Sequence, residues 1–464
     1  MKTEYDILIP EISSYRSDET ILLILEFIRK VELENKMFPY WYLLSLIQLS
    51  VDNSSQSKLL FNPTYPDIKR MGKRVEKIQS DYLLNNFGMK GSNLRKSMSI
   101  IMHQQFWQFN NIPENDITKQ RFLFNHPTLE NLFYDMYKIS IDDFLDLSMF
   151  GYLFIENQQI SNYQGFLDAK YIACLVHSKG KEIAKHYLDA ISITDEKPLK
   201  EQFRKASNVK SGVYKMFDFS FLVTKPVLKL KNVYRIYTKQ IFYNSFKYFI
   251  YNSLKDQQGF GEIFGKICFE NYIEKGLKDR KIDFIREKEI QQQLPKGSKS
   301  VDFIIEKEIL VECKATELVS HSAVNPTDES LKKSLKSSII KGFKQIIETC
   351  NKLKIEDCIG VIVTYKNIRL DGDDAFDEIL TNRTNWFTEK ELKVMRKNKF
   401  LIFNIDDWDL IVSSVDVNLM ELLGGIISLR KEKRKQLIDY LTDLGKQDKP
   451  YQFLQDKYDE FRKK

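Results

Sequence analysis

The chain of 464 residues has only five cysteines and five histidines. Cys174, Cys268, Cys313, Cys350 and Cys358 contain no Cys-x-x-Cys pair and sit mostly inside apolar runs, which argues against a zinc site and for reduced thiols. His103, His126, His177, His186 and His321 form no local ligand or nucleophile-activating pattern, so they read as structural or surface residues. Long apolar runs are missing too. The stretch from Ile21 to Phe27 falls far short of the roughly 20 residues a membrane-spanning helix needs. The opening Met-Lys-Thr-Glu-Tyr-Asp is too acidic for a signal peptide, and the expected location is the cytoplasm, with no membrane partner. Around Phe87 to Ser92 no Gly-Lys-Ser/Thr follows a glycine at phosphate-loop spacing. Asp371-Gly-Asp-Asp374 lacks the central glycine and closing glutamate of a calcium loop, and reads instead as a helix start before Ala375. No unit recurs as in a solenoid.

What is present is ample material for packed cores: 43% hydrophobic and 13% aromatic residues. At about 150 residues per domain the length implies two or three units. A net charge of +7 suits a polyanionic partner without requiring one.

Two regions differ in pattern. Residues 1–255 read as mainly helical, with three-and-four spacing of apolar residues in Thr20 to Lys36, Asn93 to Asn110, Leu129 to Ile155 and Lys179 to Ile193. Asn62 to Pro66, Asn111 to Pro113 and Asp195 to Pro198 interrupt as loops. Met216 to Val233 is strand-like or irregular, and Tyr234 to Leu254 is an aromatic-rich helical stretch. Its interleaved cations offer a nucleic-acid grip, but the spacing of Tyr234, Tyr237, Phe242, Phe246 and Phe249 is that of a helix packed in a core.

Residues 256–413 alternate. The spacing predicts a helix over Phe260 to Asp279, strands over Ile282 to Ile290, Val301 to Ile305 and Ile309 to Ala315, a helix over Glu329 to Lys354, and strands over Asp357 to Tyr365 and Phe400 to Ile405. Residues 414–464 return to helix and end in a charged tail. The expected fold class is α+β or α/β: a helical N-terminal region, then an α-β-β-β-α-β domain with a mixed sheet.

The chemistry concentrates between Val301 and Lys314. Side chains alternate faces along a strand, so Glu312 and Lys314 share one face. With a tight turn at residues 306–308, Asp302 falls opposite Glu312, and two carboxylates stand roughly 5 Å apart beside an ammonium. Like charges so placed repel unless a cation lies between them, which points to a divalent metal and a metal-dependent hydrolase.

The order of elements, with Asp302 on the second strand and Glu312-x-Lys314 on the third, resembles the PD-(D/E)xK nuclease superfamily over roughly residues 258–412. The resemblance implies a restriction-endonuclease-like fold and a Mg²⁺- or Mn²⁺-dependent endonuclease. Asp302 and Glu312 would hold the metal, with the carbonyl of Cys313 as a further ligand. Lys314 would orient the attacking water or stabilise charge on the phosphate. Gly265-Lys-Ile-Cys-Phe-Glu270 resembles the family's helix acid, and Glu270 shares the stripe of Ile263, Ile267 and Leu277; Glu274 is the alternative. Gln345 stands where many relatives carry a glutamine that helps bind the metal's water or the substrate, although Thr349 replaces the tyrosine of the fuller motif and Val301 the proline of the family name. Lys333, Lys341 and Lys344 lie off the apolar stripe of their helix, where they suit either phosphates or solvent.

By the same resemblance DNA is favoured over RNA, a homo-oligomer is expected for double-strand cleavage, and an operon-encoded protein partner and a restriction or anti-phage defence setting follow by analogy. The competing readings are a ribonuclease, a non-catalytic nucleic-acid-binding or sensor protein on the same scaffold, and a sheet edge merely decorated with charge.

Overall fold

The structure, a computed structural model, describes residues 3–33, 39–54, 60–86, 91–105, 113–157, 165–207, 209, 213–368, 386–397, 399–414, 418–432 and 451–462. The expected helix start at Ala375, residues 87–90, and residues 415–417, 433–450 and 463–464 of the C-terminal region lie outside the described residues, while helices expected there appear at Leu419–Glu432 and Gln452–Arg462. The fold is mixed α and β with two mixed sheets. Among the described residues no helix is long and apolar enough to cross a membrane.

The chain forms two compact units. The first comprises Met1–Arg121, Pro127–Gln257 and Ala323–Asn325; the second comprises Phe122–His126, Gln258–Ser322 and Pro326–Lys464.

The first unit is helical around a core that includes Leu8, Ile24, Leu43, Ile47, Met71 and Phe219. The single helix expected over Leu129 to Ile155 is two, Pro127–Tyr137 and Ile141–Asn157. Lys138 takes a left-handed φ of 57°, and Ser140 then accepts the Asp143 N–H at 3.0 Å as the cap of the next helix. This unit also holds a small sheet, of which the sequence pattern announces only β3, within the strand-like or irregular stretch Met216 to Val233: β1 (Phe166–Leu167), β2 (Ser192–Thr194), β3 (Val227–Leu230) and β4 (Val233–Ile236), in the order β1-β4-β3-β2. Tyr234 therefore belongs to a strand, and the helix begins only at Lys239, where Thr238 caps it. On that helix Phe242, Phe246 and Phe249 are buried, and Lys247 is buried against Asp116. Those rings are core, not an exposed stacking surface.

The second unit is built on β5 (Phe284–Arg286), β6 (Phe303–Ile305), β7 (Ile309–Lys314), β8 (Ile359–Thr364) and β9 (Lys399–Asn404), hydrogen-bonded in that order. Pairing is antiparallel from β5 to β7 and parallel from β7 to β9. All six residues of β8 are buried, as a continuous apolar run in a central strand should be. The expected first strand is shorter than its apolar pattern, because Glu287–Gln292 is helical.

Two helical stretches carry the remaining candidate residues. The leading helix, 260–279, is α-helical at Phe260–Glu262, π-helical at Ile263–Phe269 and α-helical again at Glu270–Asp279. The cover helix, 328–353, repeats the device with a π-helical segment at Lys336–Ile340 before Lys341–Leu353. The cover helix packs its apolar stripe, including Leu335, Ile339, Phe343 and Ile346, into the same core as Leu310 and Ile362 of the sheet.

Candidate functional site

The β6–β7 turn sets the register. Glu306 and Lys307 both take left-handed φ values, 50° and 67°, and Glu308 N–H donates to the Ile305 carbonyl at 3.2 Å. The two consecutive positive φ values reverse the chain within the three residues, 306–308, that join the paired Ile305 and Ile309. The ladder pairs Phe303 with Val311, Ile304 with Leu310 and Ile305 with Ile309. Extending it by one step brings Asp302 level with Glu312, although Asp302 itself lies just before the strand. There its Oδ2 accepts the Cys313 N–H at 2.6 Å, so a carboxylate takes the place the next strand residue would have filled.

Glu312 is 1% exposed. Its Oε1 accepts from the Lys314 ammonium, which also donates to Gln345 Oε1 at 3.2 Å. Gln345 in turn donates through Nε2 to the Ser300 carbonyl at 3.1 Å, so the amide is held with its oxygen toward Lys314. Thr349 is buried, and its hydroxyl donates to the Gln345 carbonyl at 2.9 Å. Gly342 lets the cover helix approach Glu312: a Cβ there would stand 3.4 Å from Glu312 Cγ. The second oxygen of Glu312, Oε2, is buried with no hydrogen-bond partner among the described residues.

Electrostatics gather the rest. Burial first, then the charge of Asp302, pushes Glu312 up to about 8. Glu270 is likewise pushed up to about 8 by burial and then by Asp302 and Glu287. Asp302 rises to about 6, again through burial, against the opposing pull of the Cys313 N–H and Lys314. Burial works against the charge on Lys314, but Glu312 and Asp302 outweigh it and leave the ammonium above its usual range. The pocket of charge is short of cations.

The two helix acids separate. Glu274 is buried in an ion pair, with Lys278 at 2.8 Å and Arg286 at 3.1 Å. Glu270 is the one that feels Asp302 and Lys314. Ile267, expected on the same buried stripe as Glu270, is instead 50% exposed, because the π-helical segment shifts the phase of the helix before Glu270. The Cys313 side chain is buried, and burial holds its thiol well above its usual range. Lys344 pairs with Glu391 at 3.6 Å and lies over the Phe387 ring. Sequence reasoning missed Glu287 and Lys266, whose charges reach both Glu270 and Asp302. Glu287 is hidden in the sequence because its apolar neighbours suggest a strand; it opens a short helix whose first N–H donates to the Asp302 carbonyl at 2.9 Å.

Among the described residues no group of three or more His, Cys, Asp or Glu side chains is arranged as a metal-ligating set. The residues nonetheless suit a hard cation by their chemistry: oxygen donors, an unpartnered buried oxygen on Glu312, and carboxyls that hold protons for want of positive charge. Comparison of the chain with protein-family models, with curated proteins and with solved structures finds no match.

Proposed function

We propose that this chain is a Mg²⁺- or Mn²⁺-dependent nuclease, a DNA endonuclease by preference, whose second unit is a restriction-endonuclease-like domain. The observation that carries the reading is Glu312: a fully buried strand carboxylate with one oxygen on Lys314 and the other without a hydrogen-bond partner among the described residues. The strand order, antiparallel then parallel, with acids contributed by β7, by the residue before β6 and by the leading helix, supports the same reading. Asp302, Glu312 and Glu270 would hold the metal, and the Cys313 carbonyl is a further candidate ligand. When bound, such a metal supplies a more acidic water and a counter-charge for the phosphate.

The chain's own residues do the rest. Lys314, fixed between Glu312 and the Gln345 amide, presents an ammonium that can orient a nucleophilic water or meet charge growing on a phosphate oxygen. Gln345, anchored on Ser300, holds its amide oxygen against that ammonium from the cover helix. A restriction or anti-phage role, with self-association for double-strand cleavage, is the setting proposed by analogy alone.

The test is incubation of the purified full chain with plasmid, linear duplex, single-stranded DNA and RNA, in Mg²⁺, Mn²⁺ or EDTA, beside Glu312→Gln and Lys314→Ala. Cleavage should require the metal and fall by about 100-fold or more in either variant. Cleavage that persists in EDTA, or that both variants retain, would end the proposal.

One observation favours a non-catalytic nucleic-acid-binding role instead: the carboxylates are not assembled as a ligand set, and Lys314 and Asp302 are already engaged. Calorimetric titration with Mg²⁺ separates the two. No metal uptake together with retained duplex binding favours the binding protein.

A further inference from the structure

All five cysteines are reduced, yet two of them touch. Cys350, in the last turns of the cover helix, and Cys358, one residue before β8, are 3% and 0% exposed, and their sulfurs stand 3.2 Å apart. The Cys358 thiol points at Cys350 Sγ, and the Cys350 thiol donates to the Ile355 carbonyl at 3.1 Å. The segment over them is short and conformationally costly. Lys354 and Asp357 both hold left-handed φ values, 54° and 55°, without being glycine. Lys354, Glu356 and Asp357 are exposed, and the apolar side chains that a local opening of this turn disturbs are the half-buried Leu353 and Ile355.

We propose that Cys350 and Cys358 are an oxidisable pair, which a peroxide converts to a disulfide tying the end of the cover helix to the start of β8. The sulfurs need to close from their present contact to about 2.05 Å, a movement of about one ångström. One cysteine, as the thiolate, attacks a peroxide oxygen; the O–O bond breaks, hydroxide leaves, and a sulfenic acid forms. The second thiol attacks that sulfur, the S–S bond forms and water leaves. Two thiols are thereby oxidised by two electrons, and one hydrogen peroxide becomes two waters. The hydrogen bond to Cys350, then burial, hold the Cys358 thiol above its usual range, so the reaction waits on opening of the turn and the resting state is the dithiol.

The consequence is local. The disulfide would fasten the helix that carries Gln345 and Gly342 to the strand that pairs with β7 over Glu312 and Lys314. The inference concerns these two sulfurs and stands whether or not the chain is a nuclease.

The full chain, reduced and then exposed to hydrogen peroxide at neutral pH, is quenched, alkylated under denaturing conditions and digested with trypsin. Two of the five thiols should be lost, and the fragments 345–352 and 355–366 should appear joined, lighter by two hydrogens than their sum. Recovery of both fragments unjoined, with their cysteines alkylated or carried on to sulfinic acid, would overturn the proposal. The same treatment in urea is the second measurement. If the joined fragments make up as large a share of the oxidised material from unfolded as from folded protein, the native contact does not direct the bond, and the proposal also falls.

Discussion

Glu312 is the side chain whose neighbours leave it least choice. It sits on a buried strand with like charges near it, and Lys314 opposes them. Its carboxyl is held at about 8 and that of Glu270 at about 8, both above an unfolded value of 4.5, while Asp302 is held at about 6 against 3.8. At these three sites the native chain binds more protons than the unfolded chain between about pH 4 and 8, and linkage makes their contribution to stability fall as pH rises through that window. Raising a carboxyl's pKa by one on folding is worth about 1.4 kcal/mol, enough to move a melting temperature by a few degrees. Metal-stripped protein should therefore melt lower at pH 8 than at pH 5, Glu312→Gln should flatten the slope, and Mg²⁺ should raise the melting temperature more at pH 8. Melting by circular dichroism across that range checks this, and a stability that rises with pH would contradict it. At this scale the sequence is informative, because period-two alternation and a tight turn are enough to align Asp302 with Glu312. It is silent about Glu287, whose nearness to Asp302 depends on a helix starting where the apolar pattern suggests a strand.

Helices and strands differ in how openly the sequence displays them. β8 is plain from its unbroken apolar run, and β7 from its bounds. The π-helical segments are not, since a stripe read at 3.6 residues per turn assumes an uninterrupted helix, and both 263–269 and 336–340 insert a phase shift. In the first unit β1 and β2 escape because two- and three-residue strands leave no alternation to detect, β3 falls in the stretch read as strand-like or irregular, and the four residues of β4 escape because Tyr234 fits a helical spacing as well as a strand. How closely the cover helix lies on the sheet gives a prediction. A Cβ at Gly360 would stand 2.8 Å from Ile346 Cγ2 and 2.8 Å from two Phe400 ring carbons, whereas at Gly342 the nearest atom is Ile362 Cδ1 at 3.0 Å. Gly360→Ala meets a ring and a helix at once, and overpacking of that kind costs about 1–3 kcal/mol. Gly342→Ala meets the free end of one side chain and gains up to about 1 kcal/mol of helix propensity. Thermal melts should rank Gly360→Ala well below wild type, with Gly342→Ala close to it; the reverse order would show that the helix does not approach the sheet where these distances put it.

The whole molecule is divided, but the chain does not divide where a single cut could follow. Phe122–His126 belongs to the second unit and Ala323–Asn325 to the first, so each unit borrows a piece from the other's stretch of sequence. Each borrowed piece carries core side chains, Leu123 and Phe124 in one and Ala323 and Val324 in the other. Phe124 stacks on Phe264 with centroids 4.8 Å apart, and Phe122 meets Tyr272 at 5.7 Å and Phe453 at 5.0 Å, all beside or on the leading helix that carries Glu270. In the first unit Val324 completes a buried cluster with Ile100, Val209 and Phe217. The composition break near residue 256 tells nothing of this exchange, because a five-residue segment has no periodicity of its own. Fully burying a phenylalanine side chain is worth about 1.5–3 kcal/mol, and a fragment spanning 258–464 lacks the buried Phe124 and the half-buried Phe122. That fragment should melt below the corresponding transition of the full chain and bind a hydrophobic dye, and extending it by a linked copy of residues 122–126 should recover part of the difference. A fragment 258–464 that melts as high as the full chain would mean that Phe122 and Phe124 are not holding the leading helix, and that Glu270 owes its place to the sheet alone.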